Sequence, residues 1–408
     1  MPFDAALERG LGGLPDADRR LCHELAAGVL RSGEALDAIL APLLRRGLDH
    51  TDPSVLEILR LGAYQIRELD RIPPHAAVAT AVALTRERIG ERQTGFVNAV
   101  LRRVSRAPVS PPPGLDLATR TSHPEWLVAR WLERFGSDET EALLAWNNSH
   151  PPLVVQPTSG DVDALATRFE AAGVRSFPAP YGAGLVLEET HPERLPGYDT
   201  GAFYVQDPAQ ALVVRFAAVP PGATVIDACA APGGKTIGLA RTAGLVIATD
   251  LARRRLTRLR ENLARTGRQN VAVIHADALQ PPVAAADVVL LDAPCLGTGT
   301  FARHPDARLR VRPEALERLV AQQAALLDAL ADRVRPGGVL CYATCSLEEE
   351  ENTLQVDRFL ARHPAFRRAA IEGLDVPRNA VGDLTVLPQR DGMDGAYAAR
   401  LVRDETGG

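Results

Sequence analysis

The feature that most constrains the fold is a series of short apolar runs in the second half of the chain, between residues 203 and 408. Segments of helical character separate the runs, whose sequences are TVIDA, GLVIATD, VAVIHAD, DVVLLDAP and GGVLCYATC. Nearly continuous apolar runs are typical of strands buried on both faces. The alternation therefore predicts a Rossmann-like α/β domain with a parallel, doubly wound sheet, in which ligands bind at the carboxyl ends of the strands.

The first half of the chain has a different pattern. Residues 1–145 predict helices, with Val97, Val100, Leu101 and Val104 on one helical face. Ser122, three residues before Glu125, predicts a capping box that opens another helix. The Pro-rich segment 107–114 predicts a linker, and residues 146–202 predict a small α/β adaptor.

Composition limits the class of protein. The net charge is −5, so any nucleic acid must be met by a local basic patch. The five cysteines form no CxxC pair, which predicts reduced thiols and neither a disulfide framework nor a structural metal. Apolar stretches fall short of the roughly 18 residues of a membrane span, and the N-terminus lacks a signal-peptide pattern. We expect a cytoplasmic monomer that does not enter membranes.

A glycine turn follows the first strand in the segment VIDACAAPGGKT, residues 225–236. Lys235 is the single lysine among 46 basic residues, which suggests a position where arginine cannot replace it. A phosphate-binding P-loop is the obvious competitor, but its pattern requires glycine where this chain has Cys229. A plain strand-to-helix turn without a ligand also fits these residues.

Carboxylates stand at the ends of four successive strands: Asp227, Asp250, Asp277 and Asp292. Any one of them can be an ordinary helix cap. In series, they predict a nucleoside site in which Asp250 accepts hydrogen bonds from ribose and Asp277 lies near the base.

Two cysteines also follow strand ends, Cys295 in DAPC and Cys345 in YATCS. Taken singly, each fits a small buried side chain as well as a reactive one. Together with Asp292 and Lys235 they predict a nucleophilic site, because a nearby cation lowers the pKa of a thiol.

Residues 225–236, 292–308 and 342–352 resemble motifs I, IV and VI of the Nol/Nop/Sun family of RNA cytosine-5 methyltransferases. The segments RIPPHAAVATAVALTRERIG and TGFVNAVLRRV resemble the NusB-like RNA-binding domain that precedes the catalytic domain in bacterial 16S rRNA members. The resemblance implies S-adenosyl-L-methionine as cofactor. The residues it places around that cofactor are Cys229, Ala230, Ala231, Pro232, Gly233, Gly234, Lys235, Asp250, Asp277 and Asp292.

The resemblance also implies catalytic roles. Cys345 would be the nucleophile and Cys295 would assist product release, whereas DNA cytosine methyltransferases attack with the cysteine of the Pro-Cys motif. Asp292 would lie beside the methyl donor and the target base. The chain departs from the family pattern at Leu296, Ala396 and Tyr397, which leaves the detailed shape of the substrate pocket open.

The substrate is less constrained than the reaction. Arg303, His304 and Arg308, in the loop after Cys295, predict contacts with RNA phosphates, and the Arg-rich segment 253–268 fits either an RNA contact or a solvated face. The partner implied is small-subunit rRNA or an assembly intermediate. Two alternatives stay open: a tRNA cytosine-5 methyltransferase, and a non-catalytic NusB-like RNA-binding or antitermination factor.

Overall fold

A computed structural model describes residues 3–106, 114–189 and 191–405. The chain divides into two compact units, one formed by Met1–Ser149 with Phe301–Arg310 and the other by His150–Thr300 with Val311–Gly408. The predicted domain boundaries at 145 and 202 stay predictions. Residues 107–113 of the predicted linker lie outside the described residues.

The first unit is helical, as predicted. Its helices are α1 Phe3–Gly10, α2 Asp16–Leu40, α3 Pro53–Glu68, α4 Pro74–Arg88, α5 Thr94–Val104, α6 Leu117–Thr121 and α7 Glu125–Asn147. Leu40, Leu59 and Leu101, from three of these helices, are fully buried in one core. Gly62 permits that packing, because a Cβ at this position would lie 2.5 Å from Leu101 Cδ1.

The predicted capping box at Ser122 is wrong. Ser122 follows α6 in the left-handed region with φ of 56°, and Pro124 is the residue that precedes α7. The Ser122 hydroxyl instead accepts a hydrogen bond from the Ala35 amide at 3.0 Å. A partner 87 residues away in sequence has replaced the local one.

A small four-stranded sheet begins the second unit. Its elements are β1 Leu153–Pro157, α8 Val162–Ala171, β2 Ser176–Pro178, β3 Leu185–Leu187 and β4 Phe203–Val205. The strand order is β2-β3-β1-β4 and every pairing is antiparallel. Phe169 of α8 packs edge-on against Phe203 with ring centroids 5.6 Å apart, which closes the core of this layer.

The large sheet contains all five predicted strands. Its elements are α9 Pro208–Ala217, β5 Thr224–Ala228, α10 Gly234–Leu239, β6 Leu245–Asp250, α11 Arg253–Arg265, β7 Val271–His275, β8 Ala286–Asp292, α12 Pro313–Ala331, β9 Val334–Thr344, α13 Thr353–Arg362, β10 Phe366–Arg368, β11 Leu384–Val386, α14 Pro388–Asp391 and β12 Ala396–Arg403. The strand order is β10-β12-β9-β8-β5-β6-β7, with β11 paired to β12.

The predicted parallel sheet is confirmed for β9, β8, β5, β6 and β7. The sheet is mixed, however, because β10, β11 and β12 extend it in the antiparallel direction.

Helices cover both faces of the large sheet. Leu212 and Phe216 of α9 pack on one face, and Leu327 of α12 and Phe359 of α13 pack on the other. The carboxyl ends of the parallel strands therefore form a single edge that is left for ligands. Among the helices of the described residues, none is both long and apolar enough to cross a membrane.

Candidate active site

The loop between β5 and α10 has a backbone that its small residues make possible. Cys229 adopts φ of 61° and Gly233 adopts φ of 108°. A Cβ at Gly233 would lie 2.3 Å from Leu259 Cδ1 of α11, so only glycine fits this approach. The Ala230 amide donates to the Thr249 carbonyl at 2.9 Å, which ties the loop to the end of β6.

Asp250 holds the same loop from the end of β6. Its carboxylate accepts hydrogen bonds from the Ala231 amide at 3.2 Å and the Ala252 amide at 2.8 Å, and Arg255 pairs with it at 3.2 Å. The carboxylate therefore has a structural role in shaping the loop. Its predicted contact with ribose stays a prediction.

Asp277 is half-buried and accepts a hydrogen bond from the Leu279 amide at 2.9 Å. This contact is the ordinary turn cap that a strand-end aspartate commonly makes. Its predicted position near the adenine stays a prediction.

Asp227 is a fully buried carboxyl at the end of β5. Thr236 Oγ1 donates to its Oδ2 at 2.6 Å, while Oδ1 has no hydrogen-bond partner among the described residues. Burial raises the pKa of Asp227 to about 7, and the nearby carboxylate of Asp292 adds to the rise.

Lys235 and Asp292 form an ion pair in which Lys235 Nζ lies 2.7 Å from Asp292 Oδ2. The side chain of Lys235 is 10% exposed and that of Asp292 is 32% exposed, so the carboxylate is the member that a ligand can reach. Burial alone lowers the pKa of Lys235, but the adjacent carboxylate outweighs burial and the pKa lies above its usual value. The structure thus brings together two residues that were expected to converge on one sheet edge, although their ion pair was not itself predicted.

The two cysteines predicted to share this edge do meet. Cys295 Sγ lies 3.4 Å from Cys345 Sγ. The hydrogen bond to Cys345 and then burial raise the pKa of Cys295 well above its usual value. We infer that Cys295 retains its proton and donates it toward Cys345.

Polar side chains fix the turn that carries Cys345. The Leu347 amide donates to Thr298 Oγ1 at 2.8 Å, Asn352 Nδ2 donates to the Ser346 carbonyl at 2.9 Å, and Thr344 Oγ1 donates to Asn352 Oδ1 at 2.6 Å. These contacts hold Cys345 immediately beyond β9. Asp292 pairs in register with Ala343, two residues before Cys345, so the cysteine directly follows the strand that neighbours the one carrying Asp292.

The segment near the C-terminus also reaches this turn. Gly299 donates its amide to the Cys345 carbonyl at 3.0 Å, and the Gly395 amide donates to the Gly299 carbonyl at 2.8 Å. A Cβ at Gly299 would lie 2.7 Å from Gly395 Cα. Gly395 therefore supports the cysteine turn through Gly299, a role that was not predicted from the sequence.

Two buried polar residues at the Cys295 loop were also missed. Glu351 accepts a hydrogen bond from the Leu296 amide at 3.1 Å, and Gln323 donates to Glu351 at 2.8 Å. Glu351 is the last of four consecutive glutamates, a pattern that resembles a solvated surface. Its only sequence signal was its position within the motif VI segment.

The donor set at this edge fits S-adenosyl-L-methionine. Asp227, Asp250 and Asp292 lie around one loop, where Arg255 pairs with Asp250 and Lys235 pairs with Asp292. The Asp292 carboxylate, which is 32% exposed, can stabilise a positively charged sulfonium ligand. Burial, followed by these carboxylates, raises the pKa of Cys229 to about 12, so that thiol stays neutral.

The structure contradicts the predicted RNA contact of Arg308. Arg308 belongs to the helical unit and is 1% exposed. Its guanidinium donates to the Asn147 carbonyl and to Asn148 Oδ1, both at 2.7 Å. Burial lowers the pKa of Arg308 to about 9. Because the guanidinium is buried and donates to oxygens of its own unit, it is not accessible to an RNA phosphate.

Arg303 and His304 belong to the same helical unit, where Arg303 is half-buried and His304 is exposed. Their contact with RNA stays a prediction. Within the Arg-rich segment 253–268, Arg265 donates to the Tyr198 and Phe203 carbonyls at 3.0 Å, and Arg268 donates to the Thr158 carbonyl. These two arginines support the fold.

Comparison with known proteins gives the same architecture. Residues 216–402 match the model of 16S rRNA methyltransferase RsmB/F, residues 3–106 match the NusB family, and residues 123–192 match the RsmF/B-like ferredoxin-like domain. The crystal structure of PH0851 has a TM-score of 0.82 at 24% identity, covering 96% of this chain and 92% of that one, which supports the fold.

Two curated relatives extend over nearly the whole chain. Ribosomal RNA small subunit methyltransferase B of Pseudomonas putida is 36% identical, over 98% of this chain and 94% of its own length. Probable ribosomal RNA small subunit methyltransferase B of Synechocystis is 34% identical, over 98% and 95%. The chain therefore belongs to the family described as 16S rRNA methyltransferase RsmB/F.

Proposed function

We propose that the protein methylates C5 of a cytosine in 16S rRNA through a covalent bond between Cys345 and C6 of the base. The single observation that carries the proposal is the pair of cysteine sulfurs 3.4 Å apart at the same strand edge as the Lys235–Asp292 ion pair. The names of the curated relatives, ribosomal RNA small subunit methyltransferase B, support rRNA over tRNA as the substrate.

The chemistry requires a thiolate. C5 of cytosine is too weak a nucleophile to take a methyl group directly. When the Cys345 thiolate adds to C6, an electron pair of sulfur forms the new bond and the electrons of the C5–C6 double bond move onto the ring. Because Cys295 keeps its proton, the neighbouring Cys345 is the sulfur that can attack.

Asp292 and Lys235 are proposed to stabilise the negative charge that develops on the cytosine ring. A proton shared between Lys235 Nζ and Asp292 Oδ2, 2.7 Å apart, can be presented to N3 as the thiolate adds. General acid support of this kind typically contributes ~10² to 10⁴-fold in rate. Asp292 is the more exposed partner, so its carboxyl would touch the base.

The methyl donor proposed is S-adenosyl-L-methionine, which supplies an electrophilic methyl group when bound. The loop from Cys229 to Lys235 would hold its methionine part, with Asp250 on the ribose and Asp277 toward the adenine. The rigid turn through Gly233 keeps these groups in fixed positions, and such positioning contributes about 7 to 11 kcal/mol in favourable cases.

Release reverses the first step. The C5 proton passes to water, the electrons of the C–H bond restore the C5–C6 double bond, and the electron pair of the C6–S bond returns to Cys345. The proton held at N3 returns to the Lys235–Asp292 pair. The thiolate that leaves is then next to the protonated Cys295 at 3.4 Å, which stabilises it by donating a hydrogen bond. The two sulfurs thus have separate tasks in attack and release.

A base stacked in a duplex is out of reach of these side chains, so the target cytosine must be unpaired or flipped out. Arg303 and His304 are the proposed phosphate contacts. An exposed histidine and a half-buried arginine can position the RNA backbone without reading its sequence.

The decisive experiment treats 16S rRNA transcripts, small-subunit particles and tRNA with the purified protein and S-adenosyl-L-methionine. Mass spectrometry of the nucleosides should show 5-methylcytosine in an rRNA arm. Methylation of tRNA alone would favour the tRNA alternative. Binding of the cofactor without methylation in any arm would favour the non-catalytic RNA-binding alternative, and bisulfite sequencing would locate the modified position.

A further inference from the structure

Two buried polar side chains from different elements meet at the loop that carries Cys295. Gln323 lies on α12, and Glu351 lies just before α13; both are fully buried. Buried charged and amide groups are costly unless they make hydrogen bonds. The hydrogen bonds that Gln323 and Glu351 make should therefore explain why they are buried beside Cys295.

Gln323 and Glu351 contact the residues directly before and after Cys295 in the sequence. On one side, Gln323 Nε2 donates to the Pro294 carbonyl at 2.8 Å. On the other side, the Leu296 amide donates to Glu351 Oε1 at 3.1 Å and Oε2 at 3.3 Å. Gln323 also donates to Glu351 Oε1 at 2.8 Å, which joins the two anchors. The peptide groups before and after Cys295 are thus held by one connected pair.

The pair is itself held in place. Tyr342 of β9 donates its hydroxyl to the Glu351 carbonyl at 2.6 Å within the core. Glu349 is exposed on the same short segment, whereas Glu351 is fully buried. Glu348 is buried as well and accepts a hydrogen bond from Thr298 Oγ1 at 3.5 Å, whereas Glu351 is the glutamate that contacts the Leu296 amide.

The charge of Glu351 also reaches Cys295. Burial raises the pKa of Glu351 to about 7. After the hydrogen bond to Cys345 and burial, the ionised Glu351 is a further cause of the raised pKa of Cys295. Ionised Glu351 thus helps to keep the proton on the sulfur that must donate during release.

We propose that Glu351 and Gln323 are positioning residues that hold the Cys295 thiol toward Cys345 and thereby control product release rather than attack. This inference rests on the function proposed above. In the proposed reaction, neither the Glu351 nor the Gln323 side chain touches the reacting atoms. Both act through the peptide groups of Pro294 and Leu296.

The test uses the full-length protein with 16S rRNA and S-adenosyl-L-methionine, and compares wild type with Glu351→Gln. Covalent protein–RNA adduct on a denaturing gel and 5-methylcytosine product are measured in single turnover. We expect release to slow by about 10²-fold, because a misplacement of about 1 Å costs that much, and adduct to accumulate. Adduct formation should change far less.

A pH series distinguishes positioning from a loss of stability. In the wild type, release should become faster as Glu351 ionises through about pH 7, and this step should be absent in Glu351→Gln. Glu349→Gln is the matched control, since it removes the same charge from an exposed site on the same segment, and it should behave as wild type.

Gln323→Met provides a second route if Glu351→Gln does not fold, because it keeps an unbranched side chain and removes the donor to Pro294. It should also accumulate adduct. Wild-type release in both variants, while Cys295→Ala traps the adduct, would overturn the positioning role and leave the proposed function intact. Absence of 5-methylcytosine from the wild-type reaction would instead defeat the proposed function.

Discussion

Cys295 Sγ lies 3.4 Å from Cys345 Sγ. The pKa of Cys295 is raised first by its hydrogen bond to Cys345 and then by burial. The contact allows Cys295 to donate a hydrogen bond to Cys345. The proposed mechanism gives attack to Cys345 and support of release to Cys295, and it leads to separate predictions for the two residues.

Replacing Cys345 with alanine should abolish methyl transfer, because the sulfur that remains, Cys295, serves release and not attack in the proposed mechanism. Binding of S-adenosyl-L-methionine, measured by calorimetry, should be unchanged, since the loop from Cys229 to Lys235 is held by other contacts. Cys22→Ala, in the helical unit, is the control and should retain activity. Methylation by Cys345→Ala would show that the nucleophile is misassigned.

Replacing Cys295 with alanine should have a different effect. Attack can still occur, but the departing thiolate loses its hydrogen-bond donor at 3.4 Å. We expect a protein–RNA adduct that runs as a slow band on a denaturing gel and disappears in the double variant with Cys345→Ala. A Cys295→Ala protein that releases methylated RNA at the wild-type rate would remove this residue from the release step.

Lys235→Arg should be damaging although the charge is kept. The Lys235 side chain is 10% exposed and its ammonium reaches Asp292 at 2.7 Å, so a larger planar guanidinium cannot occupy the same position. The rate of methylation should fall by ~10² to 10⁴-fold, the range expected when proton transfer is misaligned. Arg175→Lys, at an exposed site, is the reference exchange; equal rates in both variants would contradict the special role of Lys235.

Arg308→Met should weaken folding rather than RNA binding. The substitution keeps apolar bulk but removes the hydrogen bonds to the buried Asn147 carbonyl and the part-buried Asn148 Oδ1. A buried acceptor left without a partner costs about 1–3 kcal/mol. Urea denaturation should show a lower free energy of unfolding, whereas the exposed Arg310→Ala should change it little. A stable Arg308→Met protein with weakened RNA binding would restore the original phosphate contact.

Much of the sheet unit could be predicted because its signals are local. Apolar runs buried on both faces predicted β5 to β9, and strand ends predicted where Asp292, Cys295 and Cys345 would meet. Parallel strands place their carboxyl ends at one edge whatever the details of packing. The sequence analysis did not predict that the strand Ala396–Arg403 joins the sheet in the antiparallel direction. The direction of a strand depends on how the chain turns before it, and the residues of the strand itself carry no signal for that.

The amino-acid sequence by itself determined the alternating strands and helices, the family motifs and the candidate side chains at the strand ends, because these depend on periodicity and residue type within short segments. Only the tertiary structure decided that Ser122 binds Ala35, that Arg308 is buried, and that Glu351 supports the Cys295 loop. Each of these outcomes joins residues far apart in sequence. A buried polar group needs a hydrogen-bond partner, and folding brings such groups next to side chains from distant parts of the chain. The tertiary structure therefore decides whether a polar side chain faces water or another part of the protein.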